Sequence, residues 1–193
     1  MLMVAVSEQQ LETELAAGAL SCPGCSGRLA RWGFARPREV RMLAGVRSVQ
    51  PRRACCGGCG ATHVLVPAWS VPRRRDGSEV IGEALRHAAE GAGHRVIARR
   101  LGRPPGTVRG WLRAARARSE LLRCCATRAA YALDPGELAR VTPQGSILAD
   151  AVEALAIAVR AWALRFGSQH PGGWERAVWL TGGLLTGMPP LPP

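Results

Sequence analysis

The spacing of apolar positions changes twice along the chain. Near the N-terminus Leu11, Leu15 and Ala16 fall on one helical side, and Ser7 with Gln10 has the form of a capping box, so a short helix is expected over 7–18. From Cys22 to Pro67 the helical period disappears. Short alternating runs replace it, such as Val40-Arg41-Met42-Leu43 and Gly45-Val46-Arg47-Ser48-Val49, and they predict a small antiparallel sheet. Between Ser78 and about Arg118 three helices are expected. Val80, Ile81, Leu85 and Ala88 mark the first, Ile97 and Leu101 the second, and Val108, Trp111 and Leu112 the third. From Leu121 onward the pattern stays helical, with breaks at Asp134-Pro135-Gly136, at 143–145 and at 167–173. Within 147–166, Leu148, Val152, Leu155, Val159, Trp162 and Phe166 form one stripe, widened by Ala151, Ala154, Ala158 and Ala161. Such a face serves either core packing or dimerisation.

Composition adds a partner class. The 193 residues carry 26 basic side chains against 14 acidic ones, a net charge of +12, and every basic residue is Arg. The absence of Lys excludes a Walker A phosphate loop and Schiff-base chemistry. Residues 1–27 hold a charge of −3, residues 28–128 hold +16 and residues 129–193 hold −1. A cationic middle between two slightly acidic ends points to a polyanion, most simply nucleic acid. No stretch reads as a membrane span, because Asp150, Glu153, Arg160 and Arg165 interrupt the most apolar helix. Met1 to Val6 lacks the positive flank and the length of a signal peptide. A cytoplasmic, nucleoid-associated protein is expected, whose seven cysteines are reduced thiols.

The cysteines bring in chemistry. Cys22-Pro23-Gly24-Cys25 and Cys56-Gly57-Gly58-Cys59 each place two residues between thiols. That spacing lets one tight turn direct both sulfurs at one ion, and two such turns make a tetrahedral thiolate site suited to zinc. A segment of about 45 residues has little core of its own, so the metal would supply folding free energy. Cys55 or His63 could replace one ligand. A rubredoxin-like iron site has the same pattern but an acidic, aromatic-rich setting, whereas this segment is rich in Arg. Cys124 and Cys125 read as helix residues in the core or at an interface.

A second motif follows at Gly93 to Arg113. Ala98 is small where two helices must cross, Gly102 turns the chain, Pro104-Pro105 ends one helix and opens the next, and Val108 and Trp111 plug the gap. Small, glycine, β-branched and aromatic at these offsets is the helix-turn-helix pattern. The third helix would then enter the major groove. Thr107, Arg109, Gly110 and Arg113 are expected on its outward face, with Arg109 and Arg113 reading base edges and Gly110 allowing close approach. Arg99, Arg100 and Arg103 are expected on phosphates. Arg73, Arg74 and Arg75 resemble the basic arms that lie in an adjacent minor groove, or they form a solvated linker. The outward arginines of the Cys-rich segment would touch phosphates, or that segment would bind protein.

Leu101 to Leu112 resembles the trihelical helix-turn-helix of resolvases and insertion-sequence transposases, and Cys22 to Pro67 resembles the zinc ribbon that precedes it in transposase-like proteins. Together the two cover about half the chain. The resemblance implies DNA binding. It does not extend to strand transfer, because only Asp134, Glu137, Asp150, Glu153 and Glu175 follow, in too few residues for a ribonuclease-H-like catalytic sheet. No enzyme is expected.

The expected fold is therefore α+β, mostly α. It comprises an N-terminal helix over 1–20, a zinc ribbon over 21–70, a basic linker over 71–77, a helix-turn-helix over 78–118, a helical region over 119–187 and a disordered tail over 188–193. The expected partner is double-stranded DNA, bound by a monomer or a homodimer, as a transposon-related protein or transcriptional regulator. The alternatives are an accessory subunit that targets a separate transposase or recombinase, and an RNA-binding ribbon protein.

Overall fold

The computed structural model describes residues 2–4, 8–167 and 172–183. The capping role of Ser7, the end of the helical region after 183 and the 188–193 tail lie outside these residues. The chain runs β1 (Leu2–Val4), α1 (Glu8–Ala17), β2 (Leu29–Phe34), β3 (Arg38–Met42), β4 (Gly45–Val49), β5 (Arg52–Cys56), β6 (Thr62–Pro67), α2 (Ser78–Ala89), α3 (His94–Leu101), α4 (Pro105–Arg116) and α5 (Ser119–Leu133). A 3-10 turn (Pro135–Arg140), α6 (Ile147–Phe166) and α7 (Gly173–Leu180) complete it. This is the expected α+β architecture, a small sheet followed by helices.

The sheet has the order β1-β6-β5-β2, with β1 parallel to β6 and the other pairs antiparallel. The alternating runs at 38–49 form a separate antiparallel hairpin, β3–β4, in which Arg38 pairs with Val49 and Met42 with Gly45. Helix α1 lies on the sheet. Leu11 and Leu15 are buried with Cys22, Leu29, Ala54, Cys56 and Leu65, so the N-terminal helix and the ribbon share one small core. Arg28 fixes the end of α1 by donating to the carbonyls of Ala17 (2.7 Å) and Gly18 (3.3 Å), where a cation also suits the helix dipole.

The helices from α2 to α7 form a second, larger core. In it the helix-turn-helix and the region after 118 are continuous, because Val80, Ile97, Val108 and Leu112 are buried together with Leu122, Leu148 and Leu155. Helices α5 and α6 pack along each other through alanine. Ala126 and Ala130 on one, and Ala151, Ala154, Ala158 and Ala161 on the other, are all at or below 2% exposed. The buried face of α6 is thus centred on its small residues, which allow close approach, rather than on its large ones. Phe166 is exposed, and Val152, Val159 and Trp162 are only half-buried.

The segment expected as a linker is built into the fold. Ala68 and Val71 enter the helical core, Trp69 packs with Val40 and Val49 of the hairpin, and Asp76 and Gly77 are buried. Backbone hydrogen bonds from Arg41 to Arg75 (2.6 Å), Gly77 to Arg41 (2.9 Å) and Ser78 to Trp69 (2.9 Å) tie it to β3 and to the start of α2. Only Arg73, Arg74 and Arg75 are exposed within it, so it is an anchored loop and not a free tether.

Candidate metal centre and nucleic-acid interface

Two turns of the same design converge on one point. In the first, the Cys22 amide donates to the Gly27 carbonyl (2.8 Å) and the Ser26 amide to the Cys22 carbonyl (2.8 Å). In the second, the Cys56 amide donates to Ala61 (2.9 Å) and the Gly60 amide to Cys56 (3.0 Å). Ser26 and Gly60 occupy the same place in the two turns and both have positive φ, 58° and 71°. The outcome is that the sulfurs of Cys22, Cys25, Cys56 and Cys59 all lie within 4.8 Å of one another. All four are free thiols.

The donor set fits a soft tetrahedral cation. Four sulfurs about 2.3 Å from one ion stand about 3.8 Å apart at tetrahedral angles, and Cys22–Cys59 is 3.8 Å and Cys25–Cys56 3.4 Å. The backbone amide of Cys59, joined by that of Gly58, lowers the Cys56 thiol to about 6 against the opposing effect of burial. Cys25 moves the other way. The Gly27 amide lowers it, but hydrogen bonding with Cys56 and Cys59, and its own desolvation, push it up to about 12. One thiolate forms readily and its neighbour then resists ionising, as expected of a thiol cluster that calls for a positive charge at its centre.

The alternatives to this ligand set separate cleanly. Cys55 points to the other face of β5, as strand alternation requires, and its sulfur reaches the Gly60 carbonyl at 3.6 Å. His63 lies beside the cluster, not in it. Its Nε2 is 3.4 Å from the Cys22 sulfur, and burial holds its pKa below the ordinary imidazole value, so a neutral ring can donate to that sulfur. Sequence reasoning offered His63 only as a ligand. Its place beside Cys22 is a product of the β5–β6 register, in which Ala54 pairs with His63.

Gly27 completes the cradle. A Cβ there would sit 2.9 Å from the Cys56 sulfur and 3.2 Å from that of Cys25, whereas one at Gly24 would meet only Cys22, at 3.9 Å. Gly27→Ala is expected to weaken metal binding at least about tenfold, and Gly24→Ala to leave it nearly unchanged. Competition with a chelator measures both, and equal affinities for the two variants would remove Gly27 from the site.

The second site is a surface of arginine. Gly102 ends α3 with φ 61°, the left-handed cap the sequence demanded, and Pro104 and Pro105 open α4. Ile97, Ala98, Val108, Trp111 and Leu112 are buried between the helices. That locks the rotation of α4 and turns Arg109 and Arg113 outward. Both are exposed, and neither has a hydrogen-bond or ion-pair partner among the described residues. Arg116 continues the same row one turn on, also exposed and without a partner among the described residues. The helical period that selected Arg109 and Arg113 also reaches it. Gly110 and Gly106 leave this face bare, since a Cβ at either would meet nothing within 4 Å. Thr107 is half-buried at the start of α4.

On α3, Arg99 is exposed and has no partner among the described residues, and Arg95 lies one turn before it in the same state. Arg100 is exposed and donates to His87 Nδ1 at 3.4 Å. Arg103 departs from expectation. It turns inward to Asp76 at 2.6 Å and donates to the carbonyls of Leu101 (3.0 Å), Gly102 (3.3 Å) and Met42 (3.3 Å). The buried Asp76 carboxylate claims its charge, so Arg103 belongs to the frame and is not turned toward a phosphate.

Much of the ribbon's positive charge is likewise used within the molecule. Arg31 and Arg52 pair with Glu12, Arg38 donates to the Ser70 hydroxyl, Arg41 pairs with Asp76, and Arg47 stacks on Trp69. Arg36 is exposed and, like Arg53, has no partner among the described residues. The free cations therefore concentrate on α3, α4 and the 73–75 loop.

No curated protein and no solved structure matches the chain. Residues 80–123 match the family model of a homeodomain-like domain, which covers less than a quarter of the chain. Family resemblance and geometry thus agree on this segment, and α2, α3 and α4 form a helix-turn-helix.

Proposed function

We propose that this protein binds double-stranded DNA in a sequence-dependent way, with α4 as the recognition helix and a ribbon pinned by one zinc ion beside it. The observation that carries this reading is the row Arg109, Arg113 and Arg116. These are free, exposed cations on a bare helix face whose opposite side is fixed by Val108, Trp111 and Leu112. A guanidinium on such a helix can reach guanine O6 and N7 together. Zinc is the ion that four thiolates at these separations suit best, and its role here is to hold the ribbon's fold.

The protein performs no catalysis in this reading. It acts as a regulator at the nucleoid or guides a separate transposase or recombinase to its site. Co-purification of a large carboxylate-bearing nuclease would select the second role.

Selection of bound sequences from random duplexes, by the zinc-loaded protein, tests the proposal. Arg109→Ala and Arg113→Ala are each expected to cost about 1–3 kcal/mol on the selected site and to relax preference at one position. Equal losses on every sequence would reassign the two side chains to phosphates, and preferential binding of structured RNA would replace the duplex altogether.

A further inference from the structure

The loop Arg73-Arg74-Arg75 was open to two sequence readings, a minor-groove arm or a solvated linker, and its geometry fits neither. Val71 and Pro72 before it, and Asp76 and Gly77 after it, are buried. Its backbone is held at both ends, by the Arg74 amide on the Val71 carbonyl (3.2 Å) and by the Arg75 carbonyl on the Arg41 amide (2.6 Å). Arg73 has φ 59°, a left-handed conformation that costs a β-carbon-bearing residue energy and that this anchoring imposes. A groove-following arm needs slack, and this segment has none.

The three guanidinium groups are nonetheless exposed and without partners among the described residues, while most nearby arginines are paired. The adjoining Asp76 binds Arg103, two residues before α4 begins. Asp76 also binds Arg41 of β3. The loop is therefore fixed beside the turn that leads into α4, on the seam between ribbon and helix-turn-helix.

We infer that Arg73, Arg74 and Arg75 form a preset clamp for the DNA phosphate backbone next to the groove that α4 enters, and that they read charge and not bases. The inference rests on the duplex-binding reading above. A fixed cationic loop binds backbone at little ordering cost, because its conformation is already restricted in the free protein. It contributes to affinity alike on every sequence, and each phosphate neutralised adds about one counterion to the salt dependence.

The test is a fluorescence titration of zinc-loaded protein against labelled duplexes that share one central site and carry either A·T-rich or G·C-rich flanks, at several salt concentrations. Replacement of all three arginines by alanine is expected to reduce the log–log salt slope by about 2 to 3 units, with equal loss on both flank types. Arg73→Gly is expected to reduce it by about 1 while leaving the fold intact, since glycine accepts the positive φ. A loss confined to A·T-rich flanks would make the loop a minor-groove reader and overturn the clamp. An unchanged slope in the triple variant, with a steep slope in the wild type, would overturn the clamp and leave the reading of α4 standing. A flat slope in the wild type would remove both.

Discussion

Cys56→Ser is expected to empty the ribbon of metal and unfold it while the helices stay folded. Apparent free energies of structural zinc in small domains are about 10–16 kcal/mol near neutral pH, so most of such a fold's stability is metal binding. Here the dependence is acute. The small core around Leu29, Ala54 and Leu65 includes the side chains of Cys22 and Cys56 themselves, so losing the metal loosens the core as well as the cluster. Helices α2 to α7 have their own core, with Ala68 and Val71 as its entries from the ribbon. Metal analysis should fall from one zinc per chain to none, and the helical circular dichroism signal should be largely retained. Full metal content in the variant, or concerted loss of the helices, would contradict this assignment of the two cores.

Asp76→Ala is expected to destabilise the protein strongly, on the scale of truncating a fully buried core residue. The Asp76 side chain is only 4% exposed and holds Arg41 at 2.7 Å and Arg103 at 2.6 Å. Removing one partner of a buried ion pair typically costs about 3–5 kcal/mol, because it strands the remaining charge. Arg103, only 14% exposed, loses its sole carboxylate, whereas Arg41 is 40% exposed and can turn to water. A fall in melting temperature of roughly 10 °C follows for a chain of this size. Asp76→Asn keeps one acceptor oxygen, enough for one of the two arginines, and should fall between the alanine variant and the wild type. A melting curve unchanged by Asp76→Ala would mean that ribbon and helices are not joined through this carboxylate.

Part of this organisation is legible along the chain, and the physical reasons differ from place to place. The cysteine spacing predicts the convergence of the four sulfurs because two residues between thiols almost dictate the turn. Ala98, Gly102, Val108 and Trp111 predict the helix-turn-helix because its crossing angle tolerates few alternatives. Hydrogen bonding across long sequence distances leaves no local mark. Strand β1 has three residues and pairs in parallel with β6 from the far side of the ribbon, so nothing near Leu2 announces it. Three consecutive arginines make 71–77 look like a solvated linker, and the single Asp76 that anchors it is outnumbered in any reading of composition. The same carboxylate explains Arg103, whose position on the turn suggests a phosphate contact until the buried acid beside it is seen. In α6 the large residues draw attention to one stripe. The tighter packing runs along the alanines, where α5 comes close.

The most direct measurement of duplex binding is the salt dependence of its affinity, taken on the zinc-loaded protein with a site obtained by selection. Contact with about six phosphates gives an expected log–log slope of roughly −5. The row on α4, the free arginines on α3 and the 73–75 loop supply enough unpaired charge for that number. A slope near zero would contradict the assignment, since a helix-turn-helix whose open cations release no counterions is not gripping DNA.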